Sequence, residues 1–139
     1  MNVPPSKWRG IKRIFQIVYD EHSGPLRAYI LRSCGYDVTS VIGNQAAQFL
    51  LTSAKLERYD LFIIGHSGPE AARLEMAAWL RAKYPSVMIL ALNPPNQQVP
   101  TADYNVKQDS PEMWLPIVKQ QLANSADGSA SGKVSTCSA

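Results

Sequence analysis

Gly65-His66-Ser67-Gly68-Pro69 puts a hydroxyl and an imidazole on a short turn directly after the apolar run Leu61-Phe62-Ile63-Ile64. A serine between a buried strand and a helix invites comparison with a nucleophile elbow. The G-x-S-x-G pattern, however, requires glycine where this chain has Pro69. The serine would also need a histidine base later in the chain, and the other histidine, His22, precedes it. The plainer reading is a tight turn that uses Gly68 and Pro69 to enter a helix. A second group, Asp20-Glu21-His22, follows another apolar run. His22, His66, Asp20 and Glu21 near the ends of adjacent strands are donors that suit a His/carboxylate metal site. Two histidines do not establish one, since loop histidines are commonly only solvated or hydrogen-bonded. A small metal-binding protein or hydrolase-like enzyme using His22, His66 and Ser67 is therefore the alternative reading. The glycine-rich phosphate fingerprints G-x-G-x-x-G and G-x-x-x-x-G-K-[ST] are absent, so no nucleotide cofactor is called for.

The elements that would carry these residues alternate between short apolar runs and amphipathic stretches, as in a parallel sheet covered by helices. Ile14 to Val18 reads as a buried strand. Ser23-Gly24-Pro25 opens a helix with Pro25 near its first position, where a missing N–H costs little. Leu26, Tyr29, Ile30 and Cys34 line one face of that helix, and Gly35 can end it in a left-handed turn. Tyr36 to Val41 is a half-buried, β-branched strand punctuated by Gly43-Asn44. Gln45 to about Glu57 carries Ala46, Phe49, Leu50 and Ala54 at helical spacing. Leu61 to Ile64 is apolar throughout, which implies burial on both faces. Pro69 to Lys83 is helical, and Val87 to Leu92 is a fourth buried strand.

The alternation then fails. Residues 93–101 contain Pro94, Pro95 and Pro100, which cannot sustain a helix interior. A short fifth strand fits 103–106. Ser110-Pro111-Glu112 opens a last helix with Trp114, Ile117, Val118 and Leu122 as its stripe; Pro116 predicts a kink or a later start. The chain divides into a basic irregular arm (1–12), one domain (13–123) and a Ser/Ala/Gly-rich tail (124–139) expected to be disordered.

Composition narrows the classes. A 139-residue chain with 45% hydrophobic and 18% charged residues supports one globular core. No apolar run is long enough to cross a bilayer, and no long apolar stretch follows the basic start as a secretory signal would require. The excess of positive charge lies at residues 1–13, in Lys7, Arg9 and Lys12 of the arm and the adjoining Arg13, and not in the rest of the body. Such an arm can touch phosphates, but with no interleaved basic and aromatic positions nucleic acid is not the expected partner. Trp8 within it is a candidate anchor for a protein. Two cysteines, one at a helix end and one in the tail, are read as reduced thiols in a cytoplasmic protein.

The strand-helix order, Val18-Tyr19-Asp20-Glu21 after the first strand and Tyr59-Asp60-Leu61-Phe62-Ile63-Ile64 at the third, resemble the receiver domains of two-component response regulators. The resemblance spans roughly 13–122. It implies a flavodoxin-like, doubly wound five-stranded parallel sheet with its pocket at the carboxyl ends of the strands. It also implies an acid pair for Mg²⁺ after the first strand, where this chain has Tyr19 and Asp20. The phosphoacceptor aspartate ending the third strand falls on Gly65. The Ser or Thr ending the fourth strand is matched to Ala91, the lysine after the fifth to Lys107, and the aromatic switch residue to Tyr104. Glycine has no carboxylate to form an aspartyl phosphate. Asp20, with Glu21 beside it, supplies only part of a divalent-cation site. The resemblance further implies a fourth helix between the last two strands, for which 91–107 leaves too little chain, so that helix is expected to be short or absent. The expectation is a stand-alone degenerate receiver, neither phosphorylatable at the usual site nor an enzyme, that holds no cofactor or metal and acts by binding a protein. The sequence does not fix its oligomeric state.

Overall fold

The computed structural model describes residues 10–53, 58–107 and 110–124. Five strands, β1 (Arg13–Val18), β2 (Asp37–Ile42), β3 (Leu61–Ile64), β4 (Met88–Asn93) and β5 (Tyr104–Lys107), form one parallel sheet in the order β2-β1-β3-β4-β5. Four helices join or follow them: α1 (Ser23–Ser33), α2 (Asn44–Ser53), α3 (Glu70–Lys83) and α4 (Pro111–Asn124). This is the doubly wound flavodoxin-like order, with β1 and β3 flanking the point where the winding reverses.

The sheet is buried on both faces, as its continuous apolar strands require. One face packs Ile14, Leu61, Ile63, Leu90, Leu92 and Val106 against Ala28 and Leu31 of α1 and Trp114, Leu115, Val118 and Leu122 of α4. The other packs Phe15, Ile17, Phe62, Ile64, Ile89 and Ala91 against Ala47 and Leu51 of α2 and Met76, Ala77 and Leu80 of α3. No helix occurs in 94–103, as three prolines dictate. Val99, fully buried, plugs the space over β4 on the α3 side. Asn105 ties the loop down, donating to Val99 O and accepting from Val99 N. Arg81 of α3 reaches the same connection, donating to Asp103 Oδ2 (2.6 Å) and Thr101 O (3.0 Å).

Two helices present a different face from the one their hydropathy suggests. In α1 the inward stripe is Gly24, Arg27, Ala28 and Leu31, while Leu26 and Tyr29, expected inside, are 63% and 68% exposed. The phase is set by Gly24, where a Cβ would stand 3.1 Å from Val18 Cγ1, so the helix crosses the sheet at its one residue without a side chain. In α2 the inward residues are Ala47 and Leu51, and Phe49 points out. Apolar residues occur on both sides of that helix, so spacing alone did not choose between them. The expected extension to Glu57 falls outside the described residues, as do most of the arm and the tail. Strands β2, β4 and β5 start and end one residue later than expected, and α4 begins at Pro111 with Pro116 inside it rather than starting late. Cys34, at the end of α1, is disulfide-bonded, against the expectation of reduced thiols; Cys137 lies outside the described residues. Among the described residues no helix is long and apolar enough to cross a membrane.

Candidate functional site

The crevice at the carboxyl ends of β1 and β3 is where an open parallel sheet ordinarily holds a ligand. Tyr19 and Asp20 follow β1 and Gly65 follows β3, which brings all three to that end of the sheet. Tyr19 turns away from the crevice. Its hydroxyl donates to Asn44 Oδ1 at the start of α2 (2.7 Å), and Asn44 in turn donates to Ala72 O in α3 (2.9 Å). Its ring lies over Gly68, where a Cβ would meet Tyr19 Cγ at 2.4 Å. Burial pushes the Tyr19 phenol up to about 12; Arg73 opposes the shift and Glu75 adds to it. Tyr19 therefore stays a neutral spacer at physiological pH.

Asp20 keeps its carboxylate but spends it locally. Oδ1 accepts from Ser23 Oγ (2.9 Å) and the Ser23 amide (3.3 Å), satisfying a donor at the start of α1. The Ser23 hydroxyl leads in holding Asp20 below its ordinary range, with the Ser67 hydroxyl contributing. Glu21 is exposed.

Gly65 is buried, its amide donating to Ile17 O (2.8 Å). A Cβ there would meet Ile17 O at 3.3 Å and Arg27 Nη2 at 3.4 Å. A guanidinium thus stands beside the end of β3, where the resemblance calls for a carboxylate and a divalent cation. Arg27 is 1% exposed, and its Nε donates to Gln16 Oε1 (2.8 Å). Gln16 is itself fully buried in mid-β1 and fixed by donating to Gly24 O and Ser40 Oγ. A fixed cation this close opposes entry of a second one.

On the other side of Gly65 lies Arg73, fully buried on α3. Its Nε donates to Gly65 O (2.8 Å), its Nη2 to Leu92 O and Asn93 Oδ1 (2.6 Å each), and its Nη1 to Gln97 Oε1 (3.2 Å). One side chain thereby ties the ends of β3 and β4 to the proline-rich loop. Desolvation lowers its pKa, yet guanidinium remains charged at any ordinary pH.

Ala91, matched by the resemblance to a Ser or Thr position, lies two residues before the end of β4. Ala91 is core, paired in register with Ile64, and β4 runs on to Asn93. Asn93, 2% exposed, is the polar residue at the strand end, and its amide donates to Asn105 Oδ1 (2.9 Å). Tyr104 is half-buried against the α1/α4 face of the sheet. Lys107 is exposed at the end of β5, in register with Asn93, and makes no ion pair with Asp20.

The alternative constellation does not come together. His22 and Ser67 are exposed, and the half-buried His66 buries an Nδ1 with no hydrogen-bond partner. Neither histidine hydrogen-bonds Ser67, and no three of His, Cys, Asp and Glu gather as a metal site among the described residues. Sequence pattern does not point to Gln16, Arg27, Asn93 or Asn105, which are polar residues within apolar elements or at their ends. Arg73 was findable: with Met76, Ala77 and Leu80 it falls on the i, i+3, i+4, i+7 stripe of α3.

No family model and no curated protein matches the chain. Solved structures do. The response regulator TrrA of Thermotoga maritima, in complex with Mg²⁺-BeF, is 22% identical with a TM-score of 0.66, covering 80% of this chain and 98% of that one. Chemotaxis response regulator CheY4 of Vibrio cholerae is 17% identical with a TM-score of 0.66, over 80% of this chain and 98% of that one. A pilus assembly-related protein of Burkholderia pseudomallei is 18% identical with a TM-score of 0.67, over 86% of this chain and 95% of that one. At these identities the likeness is one of fold, and the fold is that of receiver domains.

Proposed function

We propose that this chain is a degenerate receiver-like signalling module that takes no phosphoryl group at the usual position and acts by binding another protein. Its working unit is residues 13–123, with the arm and tail as appendages. The observation that carries the reading is Gly65. The residue that follows β3 has no nucleophile, and Arg27 stands where a Cβ there would point. Phosphoryl transfer to a carboxylate needs that nucleophile and a cation to neutralise developing charge. Here Tyr19 has left the crevice for Asn44 and Asp20 is bound to Ser23. Arg73 and Asn93 join β3 and β4 through fixed hydrogen bonds, so the arrangement favours one static state over a switch.

A binding role is supported by the outward face of α1, where Leu26 and Tyr29 stand one turn apart and largely exposed. A similar structure is a response regulator, TrrA, captured with the histidine kinase ThkA. The test is to incubate the chain with acetyl phosphate and Mg²⁺ and record intact mass. No phosphoryl adduct is expected, and a stoichiometric one would overturn the proposal.

A further inference from the structure

Residues 38–53 contain no charged side chain. They form most of the edge strand β2 and all of α2. With Ala47 and Leu51 turned inward, α2 presents Gln45, Ala46, Phe49, Thr52 and Ser53 to solvent. Phe49, 72% exposed, is the most exposed large apolar residue described, and Ile42, just before the Gly43 turn into α2, is 54% exposed. The beginning of the β2 edge is less available. The Asp37 and Gly43 amides donate to Lys12 O and Val18 O of the β1 side, so the even-numbered residues between them point their backbone groups outward. One of those groups, Val38 O, is already taken by Arg32 Nη2 (2.9 Å). Strand addition is thus hindered, and the helix face is the open surface.

We infer that the outward face of α2, centred on Phe49, is where a second copy of this chain docks. The described part of this face carries no charged side chain and so offers nothing to attract nucleic acid, an anionic membrane or a charged peptide. Two copies carrying +3 each meet there with least repulsion. The face is also self-complementary. Ala46 precedes Phe49 by one turn, so two α2 helices packed antiparallel about a two-fold axis place Phe49 over the partner's Ala46, and the reverse. The face is small. A helix of 10 residues is about 15 Å long, and with Ile42 it covers on the order of 500 Å² per copy, below the roughly 800 Å² of a standard stable complex. A contact of that size suits a reversible dimer, and the expected dissociation constant is about 10 μM to 1 mM.

Sedimentation equilibrium of the full chain from about 10 μM to 2 mM, without reductant so that the Cys34 disulfide stays intact, tests this. The weight-average mass should climb from the 15.3 kDa monomer toward twice that value. Phe49→Glu should weaken association at least about tenfold. Met113→Glu, at an exposed apolar position on α4, should leave it unchanged. A monomer at every concentration overturns the inference. So does an association that Phe49→Glu leaves intact or Met113→Glu abolishes. Should Phe49→Glu not fold, Ala46→Arg carries the same expectation.

Discussion

Replacing Gly68 by alanine drives a methyl group into the Tyr19 ring: the new Cβ would stand 2.4, 2.6 and 2.7 Å from Cγ, Cδ1 and Cδ2. Carbon–carbon contacts relax at about 3.5–4.0 Å, so the ring must retreat by roughly 1 Å. It cannot do so and keep the 2.7 Å bond from its hydroxyl to Asn44. Loss of that bond costs about 0.5–1.5 kcal/mol, and overpacking a filled site costs about 1–3 kcal/mol. Gly68 does not occupy the left-handed region, so alanine also lowers unfolded-state entropy and returns about 0.4–1 kcal/mol. The net expectation is a destabilisation of about 2 kcal/mol, rising if the ring leaves its site altogether. The assay is urea unfolding at 25 °C of wild type, Gly68→Ala, Tyr19→Ala and the double variant. With the ring removed, Gly68→Ala should be neutral or slightly stabilising, giving a coupling energy of about 2 kcal/mol. A Gly68→Ala cost that persists unchanged in the Tyr19→Ala background would refute the reasoning, as would no cost at all. The cycle tests whether Tyr19 is a packing residue held over Gly68.

Arg73→Met should cost at least about 3 kcal/mol, because it strips donors from Gly65 O, Leu92 O, Asn93 and Gln97 and strands buried acceptors. The proline-rich loop should become protease-sensitive in that variant, and native-like resistance of 94–100 would contradict the clamp. Gly65→Asp should gain no phosphoryl adduct from acetyl phosphate and Mg²⁺, since the new carboxylate meets Arg27 rather than a metal; a mass shift would show that restoring the nucleophile suffices. The Tyr19 phenol, raised in the folded state from 10.0 to about 12, contributes stability that is whole below pH 10 and lost as pH rises toward 12. Tyr36 and Tyr84 shift in the same direction by burial, so the measurement is the difference between wild type and Tyr19→Phe across that window. Two units correspond to about 2.7 kcal/mol, and solvent screening of a partly exposed ring brings the expected excess loss to about 1 kcal/mol. Parallel curves would exclude the Tyr19 contribution.

Much of the architecture can be read from local pattern. Leu61 to Ile64 are apolar without alternation, which only a strand covered on both faces explains, and all four are buried. Pro94, Pro95 and Pro100 forbid a helix wherever they sit, so the missing crossover helix needed no tertiary information. The absence of a carboxylate at Gly65 is likewise a fact of covalent chemistry. The end of β4 was less legible, because Val87 to Leu92 is an apolar run whose limit hydropathy marks at Leu92. The strand nevertheless continues to a buried Asn93 held by Arg73 and Asn105.

Tertiary structure alone decided which faces turn inward and what fills the crevice. In α1, hydropathy excludes Arg27 from the core and admits Tyr29, and the fold reverses both because Gly24 alone lets the helix approach Val18. A buried arginine is tolerable only when its donors meet acceptors. Those of Arg73 come from residues 65, 92, 93 and 97, on a turn, a strand and a loop far apart in the chain. No window of sequence contains that set. Covalent chemistry thus leaves Gly65 without a carboxylate, and only the packing of distant elements determined that two arginines would stand on either side of it.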